Sequence, residues 1–400
     1  MKNNKDIAIY ALDALKKAGA DHAQCIVTSG KVDELNVDGG NFSLLRTLFN
    51  SSIALKALKD GKKGTIIANR LDKYSIDKAV LDCVTSAQSS TPDDAEAISE
   101  KIKNESFETG ALSPDRDKLF DRLQELLVDT KENYPKIMIE QLVSSYFKTD
   151  SLLMNTNGVE FRNNSGKYNI SLMFSAHEGD KTSSFMGYDF DFADLDRKLL
   201  DIGMLRTLLS ESEKQITTKP FMGKFVGKVL FTPACLIDIM MTVVGNFMSD
   251  MTIIDGTSPW ISMLGNKVAS SKLSMSTIPL DERITTGERF TGEGYKSDNM
   301  ELITDGVLKN FVLSNYGSRK TGFPRAANLS HNLYVKPGNT SLKALISGID
   351  RGILINRFSG GQPGTNGDFS GVAKNSFLIE NGQIADALSE TMISGNMIDA

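Results

Sequence analysis

Apolar residues recur at helical spacing from 5 to 18, and strict alternation follows. The runs 22–30, 32–37, 42–49 and 52–68 each read as strands, with "KDGKK" folding the last into a hairpin. Helical spacing returns at 75–88, which gives the order helix, antiparallel meander, helix. The stretch 89–116, rich in Pro, Ser and charge, marks a linker. The order then repeats, with a helix over 117–133, strands at 136–149, 151–158, 159–166, 169–177 and 182–192, and a closing helix over 194–212. Two such units of about 100 residues in tandem point to an internal duplication.

From 224 the pattern changes. A strand at 224–231 leads into "PACLIDIMMTVVGN", which opens a helix over 233–248 that begins on proline and is apolar at most positions, so it reads as buried. Turn signals at "TGEG", "TDG", "NYGS", "SGGQPGTNGD" and "ENGQ" cut the remainder into short strands, as in a barrel or sandwich. The expected fold is α+β. Helix–antiparallel meander–helix units occupy 1–110 and 111–218, the second a possible duplication of the first, and a β-rich barrel- or sandwich-like C-terminal domain occupies 219–400.

Composition narrows the function classes. Four hundred residues exceed what one core usually supports. Fifty acidic and 45 basic residues, net −5, are spread along the chain without a basic stripe, so direct nucleic-acid contact is not expected. The N-terminus lacks the apolar core of a signal peptide, and no segment nears the roughly 20 apolar residues of a membrane span. Cys25, Cys83 and Cys235 are odd in number and far apart, which suits reduced thiols in a cytoplasm. The three histidines, His22, His177 and His331, leave few candidates for a general base or metal ligand.

Four stretches could carry chemistry. The glycine-rich 358–371 resembles a phosphate cradle but matches neither GxxxxGK[ST] nor GxGxxG and runs into a strand, so it reads as a structural loop. "HEGD" at 177–180 sits on a hairpin tip with no second His in helical reach, and reads as solvated turn. Cys235, Met240, Met241, Met248 and Met251 form a sulfur-rich patch that reads as core filler ahead of a copper site. Glu293, Arg325, Asn328 and His331 gather polar groups in turn-rich stretches of the C-terminal domain, where loops commonly line a cleft.

The segments "FTGEGYKSDNMELITDGVLKNFVLSNYGSRKTG", "PRAANL", "GILINRFSGGQPGTNGDFSG" and "FLIENGQIADALSETMISGN" resemble the TldD/PmbA family, also called modulator of DNA gyrase proteins. Within it the chain is similar to the PmbA (TldE) branch, and "LKDGKKGTIIANRLDKYSIDKAVLDC" and "LLMNTNGVEFRNNSG" extend the likeness upstream. The resemblance implies a helix that in the TldD subunit carries HExxxH, two His holding a metal and Glu activating water. Here "MTVVGN" falls on that motif. Gly245 is shared, Met241 and Asn246 stand at the ligand positions, and Thr242 stands at the base position. A thioether, an amide and a hydroxyl replace neither two imidazoles nor a carboxylate. The resemblance therefore implies a subunit with no metal, cofactor or catalytic residue of its own. Its partner would be a TldD-type metallopeptidase subunit that cleaves unfolded or precursor peptides, and alone it would be a homodimer. The chain stops at Ala400, short of the further C-terminal strands that the family leads one to expect, one of which supplies a Cys ligand in the TldD branch. Two alternatives stand beside this reading: a hydrolase of another mechanism using Glu293 and His331, and a gyrase-modulating protein-binding factor with no peptidase link.

Overall fold

A computed structural model describes residues 3–399. Helix α1 (Asn4–Lys17) starts where the Asn3 side chain accepts from the Asp6 amide, and it buries Ile7, Ala8, Ala11, Leu12 and Leu15. Strands β1 (His22–Asp38), β2 (Asn41–Lys59) and β3 (Lys62–Ala68) follow, and Asp60 and Gly61 turn β2 into β3 at φ 52° and 70°. Four expected runs, the last of them a hairpin, are thus three strands. Lys31, Asn50 and Ser51 are polar but remain paired across the β1–β2 ladder, so polarity alone did not break the strands. Helix α2 (Lys73–Ser89) lies on β3 at Gly64, where an added Cβ would stand 2.0 Å from the Cys83 carbonyl oxygen.

The stretch 89–116 is more ordered than a linker. It contains β4 (Glu105–Gly110), which pairs in parallel with residues 161–166 and whose single apolar residue, Phe107, leaves no alternation to read. Then come α3 (Arg116–Asn133), β5 (Ile137–Asn155), β6 (Glu160–Glu178), β7 (Lys181–Thr182) and β8 (Met186–Phe192). The expected helix over 194–212 is instead a 3₁₀ turn at Leu199–Asp201 followed by α4 (Leu205–Lys214). Gly203 between them has φ 59° and lies against the Tyr188 hydroxyl, which ends any continuous helix there.

The order of helices and strands recurs, yet all these strands join one eight-stranded sheet. β1 and β5 pair antiparallel from Gln24↔Asn155 to Asp38↔Gln141, so the two units share a sheet and do not form separate meanders. α1 and α2 cover one core, around Val27, Ile53 and Leu55, and α3 and α4 cover another, around Leu142, Tyr146 and Phe174.

The C-terminal part holds β9 (Lys228–Phe231), α5 (Pro233–Met248), α6 (Asp250–Ile254), β10 (Met275–Thr277), β11 (Met300–Thr304), β12 (Val307–Leu308), α7 (Asn315–Thr321), β13 (Leu333–Val335), α8 (Leu342–Ser347), β14 (Arg351–Ser359), β15 (Asp368–Glu380), β16 (Gln383–Leu388) and β17 (Thr391–Asn396). These form a four-stranded sheet in the order β12-β11-β10-β13, and a five-stranded one in the order β16-β15-β14-β9 with β17 against β15. The whole is a mixed α/β fold with eight α-helices among the described residues and mostly antiparallel sheets. α5 lies over β14, and its Ile239, Val243 and Phe247 share one core with Leu302, Ile353 and Ile355. The loop after 287 reaches back to the large sheet. Phe290 stacks on Phe161 at 5.2 Å, Gln24 donates to the Gly292 carbonyl at 2.8 Å, and Lys296 pairs with Glu105. No helix among the described residues is long and apolar enough to cross a membrane.

Candidate functional site

A helix with one face on a sheet turns the other face outward, and on α5 that division separates its two sets of residues. Cys235, Ile239, Met240, Val243, Val244, Phe247 and Met248 are buried, whereas Met241, Thr242, Gly245 and Asn246 lie one helical turn apart on the opposite face, half-buried or exposed. The polar groups of that face are engaged. The Thr242 hydroxyl donates to the Asp238 carbonyl at 2.9 Å, and the Asn246 amide donates to the Pro363 carbonyl at 2.6 Å.

Pro363 belongs to the glycine-rich loop, and this is what the loop does here. Gly361 (φ 41°) admits the amide of Ser370 to its carbonyl at 3.0 Å, Gly364 bonds Asp368, and Gly367 accepts from Met397. A Cβ on Gly361 would lie 1.5 Å from the Ser370 carbonyl oxygen. The glycines fit a tight β14–β15 connection laid beside α5, in keeping with a structural loop. The sulfur patch divides in the same way. Cys235, Met240 and Met248 are core, burial pushes the Cys235 thiol up to about 11, and Met251 is exposed. Among the described residues, no group of three or more His, Cys, Asp and Glu side chains is placed to hold a metal. A thioether, a hydroxyl already donating and an amide already donating do not make a zinc donor set, so no metal-dependent step is assigned to this face.

The four polar candidates of the C-terminal domain serve separate ends. Asn328 is fully buried. Its amide nitrogen donates to Thr277 Oγ1 at 2.8 Å and to the Asp298 carbonyl at 2.7 Å, and its carbonyl oxygen accepts from the amide and hydroxyl of Ser330. The Glu293 carboxylate accepts from the Asn315 amide at 2.6 Å, and the Arg325 guanidinium lies 4.0 Å from the Tyr295 ring centroid. His331 is exposed and makes no side-chain hydrogen bond among the described residues. In "HEGD", the Ser175 hydroxyl donates to Glu140 at 2.6 Å and lies 2.8 Å from His177 Nε2. Its proton already points at a carboxylate, so the histidine does not activate it.

Two features were invisible in the sequence. Asp250, just past α5, accepts from the Ser314 amide at 2.9 Å, so Asp250 and Glu293 together cap α7. Gly317 allows this approach, since a Cβ there would meet Asp250 Oδ1 at 1.8 Å. The second feature is a tie between the 89–116 stretch and α7. Asp93 pairs with Lys320 at 2.9 Å and accepts from the Tyr316 hydroxyl, while Arg319 donates to the carbonyls of Asp94 and Ala95. Lys320, then the Ala95 amide, hold the Asp93 carboxyl down at about 2, against an ordinary 3.8. A carboxylate depressed in the folded state contributes stability that is present above its unfolded value and is lost as pH falls through the folded one. Asp93→Asn should therefore lower the urea midpoint near neutral pH, and the gap from the native chain should close between about pH 4 and pH 2. A gap that stays constant down to pH 2 would show that the tie does not depend on the charge.

Against this geometry stand the known relatives. Residues 224–400 match the PmbA/TldA metallopeptidase C-terminal domain. The zinc metalloprotease TldD homologue of Saccharolobus solfataricus is 27% identical over 250 residues, a match spanning 57% of this chain and 54% of that one. The metalloprotease PmbA homologue of Haemophilus influenzae is 22% identical over 419 residues, covering 98% of this chain and 88% of the relative. The crystal structure of TldE from Thermococcus kodakarensis shares the fold at a TM-score of 0.84 and 19% identity, over 99% of this chain and 91% of that one. Through residues 224–400, and more weakly along its whole length, the chain is similar to the TldD/PmbA family.

Proposed function

We propose that this chain is a non-catalytic subunit of the PmbA/TldE type, working in the cytoplasm with a TldD-type metallopeptidase subunit that processes or degrades unfolded or precursor peptides. The outward face of α5 carries the reading. At the positions where the family motif would place two imidazoles and a carboxylate it presents Met241, Asn246 and Thr242, and the amide and hydroxyl are committed to carbonyls of the chain itself. What such a chain contributes to proteolysis is shape and association. The free edge of β2 supports that role: residues 41–52 pair with β1 on one side only, and Leu45 and Phe49 project from them 74% and 77% exposed.

The purified chain alone should carry well under one equivalent of zinc and cleave no peptide, while its mixture with a TldD-type subunit from the same cell should cleave. Placing His, Glu and His at 241, 242 and 246 should not by itself create a peptidase, because a catalytic zinc takes a third protein ligand that these substitutions do not bring. Stoichiometric zinc on the isolated chain, or cleavage by it that a chelator abolishes, would overturn the proposal.

A further inference from the structure

β9 is the outermost strand of the five-stranded sheet, parallel to β14 on one side and, among the described residues, unpaired on the other. The Thr232 amide donates to the Ile355 carbonyl at 3.0 Å. Successive residues of a strand alternate in the direction of their main-chain groups, so those of Val229 and Phe231 point away from β14. Edges of this kind are usually covered or blunted. This one is flanked by a groove on each face of the sheet. On one face Phe225, Val229, Ile353 and Ile393 line a groove of about 680 Å³. On the other, Leu230, Leu345 and Ile349 line one of about 380 Å³ beneath α8, a helix with no buried residue whose Leu342 and Leu345 are exposed.

We infer that β9 receives an extended peptide as an added strand, with alternate apolar side chains entering the two grooves and acidic residues flanking them. Unpaired main-chain donors and acceptors are recognised by another main chain, and a cavity on each side of one strand matches the two-residue period of an extended peptide. The β2 edge differs: its own side chains Leu45 and Phe49 project, which suits a preformed surface. Charge sets the flanks. Lys224, Lys228 and Arg351 surround the β9 edge, and none of them forms an ion pair among the described residues. The Lys228 ammonium bonds only the Gly348 carbonyl, and the Arg351 guanidinium lies 5.1 and 4.9 Å from the Phe221 and Phe225 ring centroids.

The inference deepens the subunit reading by giving the chain itself a hold on the peptide, and it is tested on the isolated full chain. The probe is a fluorescein-labelled peptide of alternating valine and leucine, which offers an apolar side chain to each groove, with glutamate at both ends. Binding is expected in the micromolar range. It should weaken at least about tenfold when the amides on one face of the peptide are N-methylated, and should not weaken when those on the other face are. Val229→Pro deletes an outward donor at a position where an edge strand tolerates proline, and should weaken binding similarly with little change in melting temperature. Leu345→Asp should weaken it through the groove alone. If Val229→Pro fails to fold, the methylated peptides on the native chain still decide. No binding up to about 1 mM, or binding indifferent to methylation, would overturn the inference. Association with a TldD-type subunit is measured in parallel. Its failure refutes the subunit reading, whereas lost peptide binding with association intact refutes only the β9 site.

Discussion

Asn328→Ala is expected to lower the stability of the chain by about 3 kcal/mol, whereas His331→Ala, three residues away, should leave it within about 0.5 kcal/mol. The two differ because of what their side chains leave behind. Asn328 is fully buried and satisfies four groups on three segments: Thr277 on β10, the Asp298 carbonyl, and the amide and hydroxyl of Ser330. Truncation takes a partner from the buried Thr277 hydroxyl and from three part-buried groups, at about 1–3 kcal/mol for each that is left unsatisfied, less whatever relaxation recovers. His331 is exposed and holds nothing. Urea unfolding of both variants reads the difference directly. The comparison also bears on the hydrolase alternative: if His331→Ala abolished a cleavage activity of the isolated chain while leaving its stability unchanged, His331 would be a reacting group. If Asn328→Ala were as stable as the native chain, its hydrogen bonds would be worth no more than bonds to water.

Asn328 also shows where reading the sequence stops. Its neighbourhood, "PRAANLSHN", is polar and turn-rich, and in sequence that pattern is the same for a cleft-lining loop and for a loop pinned by one buried amide. What separates them is Thr277, 51 residues away, and Asp298, 30 residues away. Glu293 is similar: it looks like a free carboxylate until α7 folds against it. Local pattern was enough elsewhere. Proline at the first position of α5 and its apolar spacing located that helix, and Asp60-Gly61 located the β2–β3 turn. It failed where pairing decides the outcome. β4 carries one apolar residue, Phe107, among polar ones and becomes a strand only because β6 lies beside it, and the two tandem units merge because β1 meets β5 more than 100 residues later. The free edges of β2 and β9 are legible only as the strands that no other strand covers.

Replacing Leu45 and Phe49 together by aspartate should weaken association by at least about a hundredfold while leaving the melting temperature almost unchanged. Both side chains stand on one face of β2, two residues either side of Thr47, whose hydroxyl is held by Asp33 at 2.7 Å, so the strand presents them from a fixed backbone. Leu44 and Leu48 emerge from the other face at 40% and 38% exposure. Among the described residues no strand pairs with the outer side of 41–52, and the only charged side chain in that stretch is Arg46, which is paired with Glu34. Natural edges are commonly protected by unpaired charge, proline or a covering loop, and this one has apolar groups in their place, the composition of a surface that is covered in the working assembly. A stable two-fold dimer buries about 1,200–2,000 Å² in total, and residues at the centre of such a patch dominate its energy. Two buried aspartates there would bring charge into the interface without partners, while in the free chain they meet only water. Light scattering at about 10 µM should therefore find a dimer for the native chain and a monomer for the double variant, with capture of a TldD-type subunit reduced in step. A native chain that is monomeric and fails to capture such a subunit would end the subunit reading. A double variant that associates as well as the native chain would move the interface away from β2.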